Sequence, residues 1–147
     1  MDHVDIIEDV ISVEKLVDLV TSPSYGAITT FIGTTRDNFD GKNVTRLEYE
    51  AYIPMARKKM LEICGMVREK WKVGNIAIVH RIGVVPVKES SIIIAISSAH
   101  RRESLESVHF AIDTLKATVP IWKKEIYDDG SNSWKENTEW KHSKING

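Results

Sequence analysis

Between residues 44 and 127 the sequence alternates between short stretches with a strand pattern and two long stretches with helical spacing. In the second helical stretch, apolar residues recur every three or four positions from residue 105 to residue 119, and Pro120 ends the run. The order is strand, helix, strand, strand, helix, strand. This split βαβ pattern predicts an α+β fold, with the helices on one face of an antiparallel sheet.

An extra helix and a hairpin are predicted before this pattern. Ser12 is a plausible N-cap for a helix with Leu16 and Val20 on one face. Residues 27–34 are rich in strand-forming side chains, and a loop with an Asp40-Gly41 turn leads to the strand that follows. We expect these two strands to form the hairpin.

Length and composition limit the class of protein. A chain of 147 residues fits one domain, which we assign to residues 1–127. Residues 128–147 form a polar C-terminal tail that could belong to the same domain. The formal net charge of −1 argues against nucleic-acid binding, and the apolar runs are too short to span a bilayer. We expect no secretory leader, and the single cysteine favours a reducing cytosol.

The most informative cluster of charge begins at the start of the second predicted helix. His100, Arg101 and Arg102 lie where unpaired backbone N–H groups and the helix dipole favour an anion. The alternative is a solvated first turn with a structural histidine. Arg36, in the loop after residues 27–34, is a weaker candidate because a loop arginine is usually plain surface.

Lys116 and Lys123 form a second candidate site. Lys116 ends the helix and Lys123 follows the proline-forced reversal, so the two ammonium groups could converge. A lysine near other cations loses basicity and can carry protons or act as a nucleophile. The alternatives are a lysine that complements the helix dipole and a strand edge protected by charge.

Other chemistries have little support in the sequence. Cys64 lies on an apolar helix stripe and is predicted to be an inert buried thiol. The histidines show no metal-ligand spacing, and no glycine-rich phosphate loop is present. We therefore expect no metal and no cofactor.

Several motifs occur together in the order of one known family. The motifs are FIGTTR at residues 31–36, LEYEAY at 47–52, HRIG at 80–83, SSAHR at 97–101, LK at 115–116 and PIWKKE at 120–125. On these motifs the chain resembles the large, catalytic subunit of molybdopterin synthase, and residues 112–127 resemble the eukaryotic members.

The resemblance implies an α/β-hammerhead fold with an added sheet, and a cytosolic step of molybdenum cofactor biosynthesis. The family inserts two sulfurs into a cyclic pyranopterin monophosphate to make the dithiolene of molybdopterin. The sulfur arrives as a thiocarboxylate on the C-terminal glycine of a small ubiquitin-like subunit. Two large subunits form a central dimer within a heterotetramer.

Matching the motifs residue by residue implies the roles in the active site. Lys116 and Lys123 would be the catalytic lysines and would also contact substrate. The other implied substrate-binding residues are His100, Arg101, Lys124, Glu125 and Arg36. Two functions from other classes remain: a non-catalytic adaptor that docks a ubiquitin-like protein, and a small ferredoxin-like anion hydrolase.

Overall fold

The structure is a computed structural model that describes residues 1–136. Three α-helices, α1 to α3, span Val13–Val20, Ile53–Lys70 and Arg101–Thr118. Within the same residues, nine β-strands, β1 to β9, span Asp2–Ile7, Ala27–Thr34, Asn38–Phe39, Lys42–Ala51, Ile76–Arg81, Gly83–Pro86, Ser90–Ser98, Ile121–Tyr127 and Asn132–Glu136. The predicted α+β class is confirmed.

The strands form two sheets rather than the single split βαβ sheet predicted. The first sheet has the order β1-β5-β7-β2, with β1 parallel to β5 and the other pairs antiparallel. The second has the order β3-β4-β8-β9, and β6 also pairs with β4. The predicted hairpin is wrong as well, because β2 pairs with β7 while β4 turns back on the two-residue strand β3.

The hydrophobic core lies on both faces of the first sheet. Alternate residues of a strand point to opposite faces, so Ile76 and Ile78 pack against α2 and α3 while Ala77 and Val79 pack against α1. Met60 of α2 is fully buried on the first of these faces. Burying a side chain of this size stabilises the fold by roughly 1.5–3 kcal/mol.

The ends of α1 and α3 are set by the residues that the sequence predicted for them. Ser12 caps α1 by accepting a hydrogen bond from the Lys15 amide at 3.3 Å. The last helix ends before Val119, as Pro120 requires.

One residue of the predicted apolar stripe of α3 departs from it: Leu105 is 54% exposed. None of the helices in residues 1–136 is long and apolar enough to cross a membrane.

The predicted polar tail is described only in its first part. There, β9 adds to the edge of β8 and extends the second sheet, with Lys123 opposite Lys135. Residues 137–147, with Trp140 and Ile145, lie outside the described residues.

Candidate active site

A cavity of about 490 Å³ lies where the two sheets meet the C-terminal end of α3. Its apolar wall comes from both sheets and from α3, with Phe31, Leu47 and Leu115 among its members. The volume is in the range of small-molecule sites. The charged side chains that line the cavity are Arg36, Lys116, Lys123, Glu125 and Lys135.

Strand β8 supplies the central residues of the cavity by simple alternation. Lys123 and Glu125 lie on the face that lines the cavity. Lys124 points to the other face, where its ammonium lies 5.3 Å from the centre of the Trp134 ring. Lys123 and Lys124 are therefore neighbours in sequence with different surroundings.

Lys123 has an electrostatic environment unusual for a lysine. Burial lowers its pKa, because the charged ammonium loses hydration inside the protein. The positive charges of Lys116, Lys135 and Arg36 lower the pKa further, and the negative charge of Glu125 acts in the opposite direction. At neutral pH, a larger fraction of Lys123 than of a surface lysine therefore carries an unprotonated amine.

Two of the surrounding cations come from other parts of the fold. Lys116 lies in the last turn of α3 and is held at the cavity by the end of that helix. Arg36 follows Thr35, whose amide donates to the carbonyl of Glu89 at 3.1 Å and whose carbonyl accepts from the Lys88 amide at 2.9 Å. These bonds fix the loop that brings Arg36 to the cavity.

Glu125 is a buried acid with a cationic partner. It is 3% exposed, and its Oε1 lies 2.7 Å from Nζ of Lys135 on β9. The pair is in ionic contact, but Oε1 lacks a well-aligned hydrogen-bond donor among the described residues. Sequence reasoning missed Lys135, because it lies in the segment predicted to be a tail.

His80 and Tyr49 also line the cavity, and neither was among the predicted site residues. The two rings meet edge to face with centroids 5.1 Å apart. Burial lowers the pKa of His80 from 6.5 to about 4 and raises the pKa of Tyr49. Nδ1 of His80 lies 2.8 Å from the carbonyl of Arg81, so Nδ1 carries the proton and Nε2 is an acceptor. The only available signal was their position in the HRIG and LEYEAY motifs.

His100 and Arg101 do not reach this cavity within one chain. They start α3, whereas Lys116 lies in its last turn, so roughly 22 Å of helix separates Arg101 from Lys116. Both side chains are exposed. One amide at the start of α3 already has a hydrogen-bond partner, since the Ser104 amide donates to the side-chain Oγ of Ser98 at 3.2 Å.

The remaining candidates have structural partners. Arg102 pairs with Glu106 at 2.8 Å on the exposed face of α3. Cys64 is buried, and burial raises the pKa of its thiol to about 12, so it is a poor nucleophile. In residues 1–136 there is no group of three or more side chains that could hold a metal ion.

In class, this is a small α+β protein with a cavity between its two sheets, and the charged residues that line this cavity are mostly cationic. Residues 6–118 match the family model described as "MoaE protein". The chain belongs to the MoaE family, which confirms the family predicted from the sequence motifs.

Two relatives show how far the similarity extends. The molybdopterin synthase catalytic subunit of Bos taurus is 60% identical over 129 residues, which cover 88% of this chain and 68% of that protein. The crystal structure of molybdopterin synthase from Staphylococcus aureus matches with a TM-score of 0.84 and 38% identity, over 88% of this chain and 94% of that one. The higher identity to the mammalian protein agrees with the predicted eukaryotic character.

A more distant match shares the fold alone. It is a chain from a complex of subunits 1 and 2 of molybdopterin-converting factor from Helicobacter pylori. Its TM-score is 0.75 at 20% identity, over 90% of each chain.

Proposed function

We propose that this protein is the catalytic subunit of a molybdopterin synthase, a sulfurtransferase that converts cyclic pyranopterin monophosphate into the dithiolene of molybdopterin. The observation that carries the proposal is Lys123, half-buried among Arg36, Lys116 and Lys135 in the cavity. The identity to catalytic subunits supports the same reaction.

The cavity suits the charges of this reaction. The pterin substrate carries a phosphate and the sulfur donor carries a thiocarboxylate, so both are anions. Fixed cations in a partly desolvated site stabilise such groups and the charge that develops during transfer. Lys123, with its lowered pKa, would carry protons between the reacting groups, and Lys116 would hold and orient the anions.

The sulfur must come from outside the chain. Cys64 is buried in the core between α2 and the first sheet and cannot serve as a sulfur carrier. We infer that a small ubiquitin-like subunit delivers the sulfur as a C-terminal thiocarboxylate, with its tail entering the cavity. The Helicobacter pylori chain, which has the same fold, comes from a complex of subunits 1 and 2 of molybdopterin-converting factor. A cytosolic location suits the reduced thiol.

A second copy of the chain would complete the site. His100 and Arg101 lie at the wrong end of α3 to serve their own cavity. A dimer could bring these residues to the cavity of the partner copy, where they would bind the substrate phosphate. Lys124 could act only from the outer face of β8, beside Trp134. This arrangement fits the heterotetramer that the resemblance implies.

The test combines this chain, the thiocarboxylated small subunit and cyclic pyranopterin monophosphate, with dithiolene product as the readout. Lys123→Ala should abolish product formation and leave binding of the small subunit intact. Lys15→Ala, on α1 at the far side of the first sheet, removes the same charge and should be neutral. Near-normal turnover by the Lys123 variant would refute the role of this residue.

Two further outcomes separate the alternatives. Tight binding of the small subunit without consumption of pterin would indicate an adaptor, and phosphate release from acyl phosphates without a partner would indicate a hydrolase. Mixing His100→Ala chains with Lys123→Ala chains tests the shared site, because only mixed dimers would then hold one intact cavity. No recovery of activity in mixed dimers would contradict a site built from two copies.

A further inference from the structure

Two lysines face each other across β8 and β9. Lys123 and Lys135 are direct partners in the antiparallel register, and both line the cavity. Like charges at directly opposed positions destabilise a sheet. This arrangement therefore requires a compensating negative charge close by.

Glu125 provides that charge, and its geometry favours one lysine over the other. It lies two residues after Lys123 on the same face of β8, diagonal to Lys135 in the ladder. Its carboxylate oxygen lies 2.7 Å from the Lys135 ammonium. A carboxylate that is 3% exposed needs such a partner, because an unpaired buried charge is costly. The acid nearest to Lys123 is thus engaged by Lys135.

A second contact holds Lys135 in this position. Its ammonium also lies over the ring of Phe39, which belongs to the short strand β3 at the rim of the cavity. The side chain is 24% exposed, so it is partly withdrawn from solvent. Lys135 is therefore held between an acid and an aromatic ring.

We propose that Lys135 is a positioning residue of the sulfur-transfer reaction: it engages Glu125 and places its own charge beside Lys123, so that Lys123 presents a reactive amine to the cavity. This inference rests on the proposed function. The direction of the lowered Lys123 pKa agrees with it, since Lys135 lowers that pKa and Glu125 raises it, after the larger effect of burial.

The titratable groups that face Lys123 come from each element around the cavity. They are Arg36 after β2, Tyr49 on β4, His80 on β5, Lys116 on α3, Glu125 on β8 and Lys135 on β9. Among the groups that line the cavity in residues 1–136, Glu125 is the one carboxylate. The charge state of Lys123 should therefore depend on which cation that carboxylate contacts.

The experiment measures the pKa of Lys123 directly in the whole chain. The protein is labelled with trace amounts of an amine-reactive acylating reagent between pH 6 and 11, and the modification of Lys123 is quantified by peptide mass spectrometry. Lys135→Met should raise the pKa of Lys123 by about one unit and so reduce its labelling at neutral pH about tenfold. Lys135→Arg keeps the charge and should restore the native profile.

Substitution of Glu125 should change the pKa of Lys123 in the opposite direction. Glu125→Gln should lower the pKa of Lys123 further, because the negative charge beside it is lost. In the Glu125→Gln background, Lys135→Met should have a smaller effect than in the native chain, since only the direct charge of Lys135 remains to be removed. Lys15→Met controls for the change in net charge, and thermal unfolding confirms that each variant is folded.

An unchanged Lys123 profile in Lys135→Met would overturn the inference, as would equal shifts in the Met and Arg variants. If Lys135→Met does not fold, Lys135→Gln keeps a polar partner for Glu125 and tests the same charge. The labelling needs neither substrate nor partner, so it can succeed or fail independently of the proposed reaction. In the reconstituted synthase, Lys135→Met should move the pH–rate profile to higher pH without loss of small-subunit binding.

Discussion

Acid should destabilise this protein through the buried imidazole of His80. His80 has a pKa of about 4 in the folded protein against 6.5 for an exposed imidazole, because burial penalises the charged ring. The unfolded chain therefore binds more protons than the folded chain between these two values. Stability from this residue is complete above pH 6.5 and is lost as the pH falls toward 4.

The size of the effect follows from the two pKa values. One pKa unit corresponds to about 1.4 kcal/mol, so His80 should lower the free energy of unfolding by about 2 kcal/mol at pH 5 and about 3 kcal/mol at pH 4. Urea unfolding followed by tryptophan fluorescence measures this free energy at each pH. His80→Gln removes the titration, so the difference between native and variant stability should shrink by these amounts on acidification.

The control is a histidine that stays in solvent. His109 is exposed on α3 beside Asp113, so His109→Gln should change stability by about 0.5 kcal/mol or less over the same range. The carboxylates are the same in the native protein and in His80→Gln, and their effect cancels in the difference between these two. Parallel stability curves for the native protein and His80→Gln between pH 7 and pH 5 would refute the reasoning.

Two further predictions concern the cavity. Gly33→Ala should destabilise the protein by about 1–3 kcal/mol in urea unfolding, because an added Cβ would lie 2.6 Å from Cγ2 of Ile92; a change below about 0.5 kcal/mol would show that Ile92 moves freely. Lys116→Met should raise the pKa of Lys123 in the labelling profile, because a positive charge that lowers this pKa is removed, and an unchanged profile would show that the two lysines are not coupled.

Local patterns predicted most of the secondary structure. The helical spacing that ends at Pro120 corresponds to α3, and the β-rich residues 27–34 correspond to β2. These features depend on nearby residues, so a single sequence contains them. Leu105 departs from the pattern because its position on α3 faces solvent, which depends on where the neighbouring elements pack.

The pairing of strands could not be predicted in the same way. The first strand, Asp2–Ile7, pairs in parallel with Ile76–Arg81, about half the chain away. Its sequence, DHVDII, is partly polar and gives little sign of a strand. The division of β4, β5, β7 and β8 between two sheets also depends on long-range contacts. A single sequence, taken by itself, does not record these contacts.

Some of the residues proposed for the site lie in the cavity and others do not. Long-range packing again decides which. Arg36, Lys116, Lys123 and Glu125 meet in one cavity, although Arg36 is about 80 residues from Lys116 in sequence. His100 and Arg101 are close to Lys116 in sequence, but the rigid length of α3 keeps them apart. Closeness along a helix of 18 residues is a poor guide to closeness in space.

Strand register explains why Lys123 faces the cavity. The pairing of β8 with β4 and β9 sets Lys123 between Tyr49 and Lys135, with its side chain toward the cavity. Because alternate residues face opposite ways, a slip of one residue would place Lys124 in the cavity and expose Glu125. The irregularity between Val44 and Arg46 lies at the far end of the pairing, so it does not disturb the register at Lys123. The chemistry of Lys123 thus depends on the pairing of three strands as much as on the identity of its neighbours.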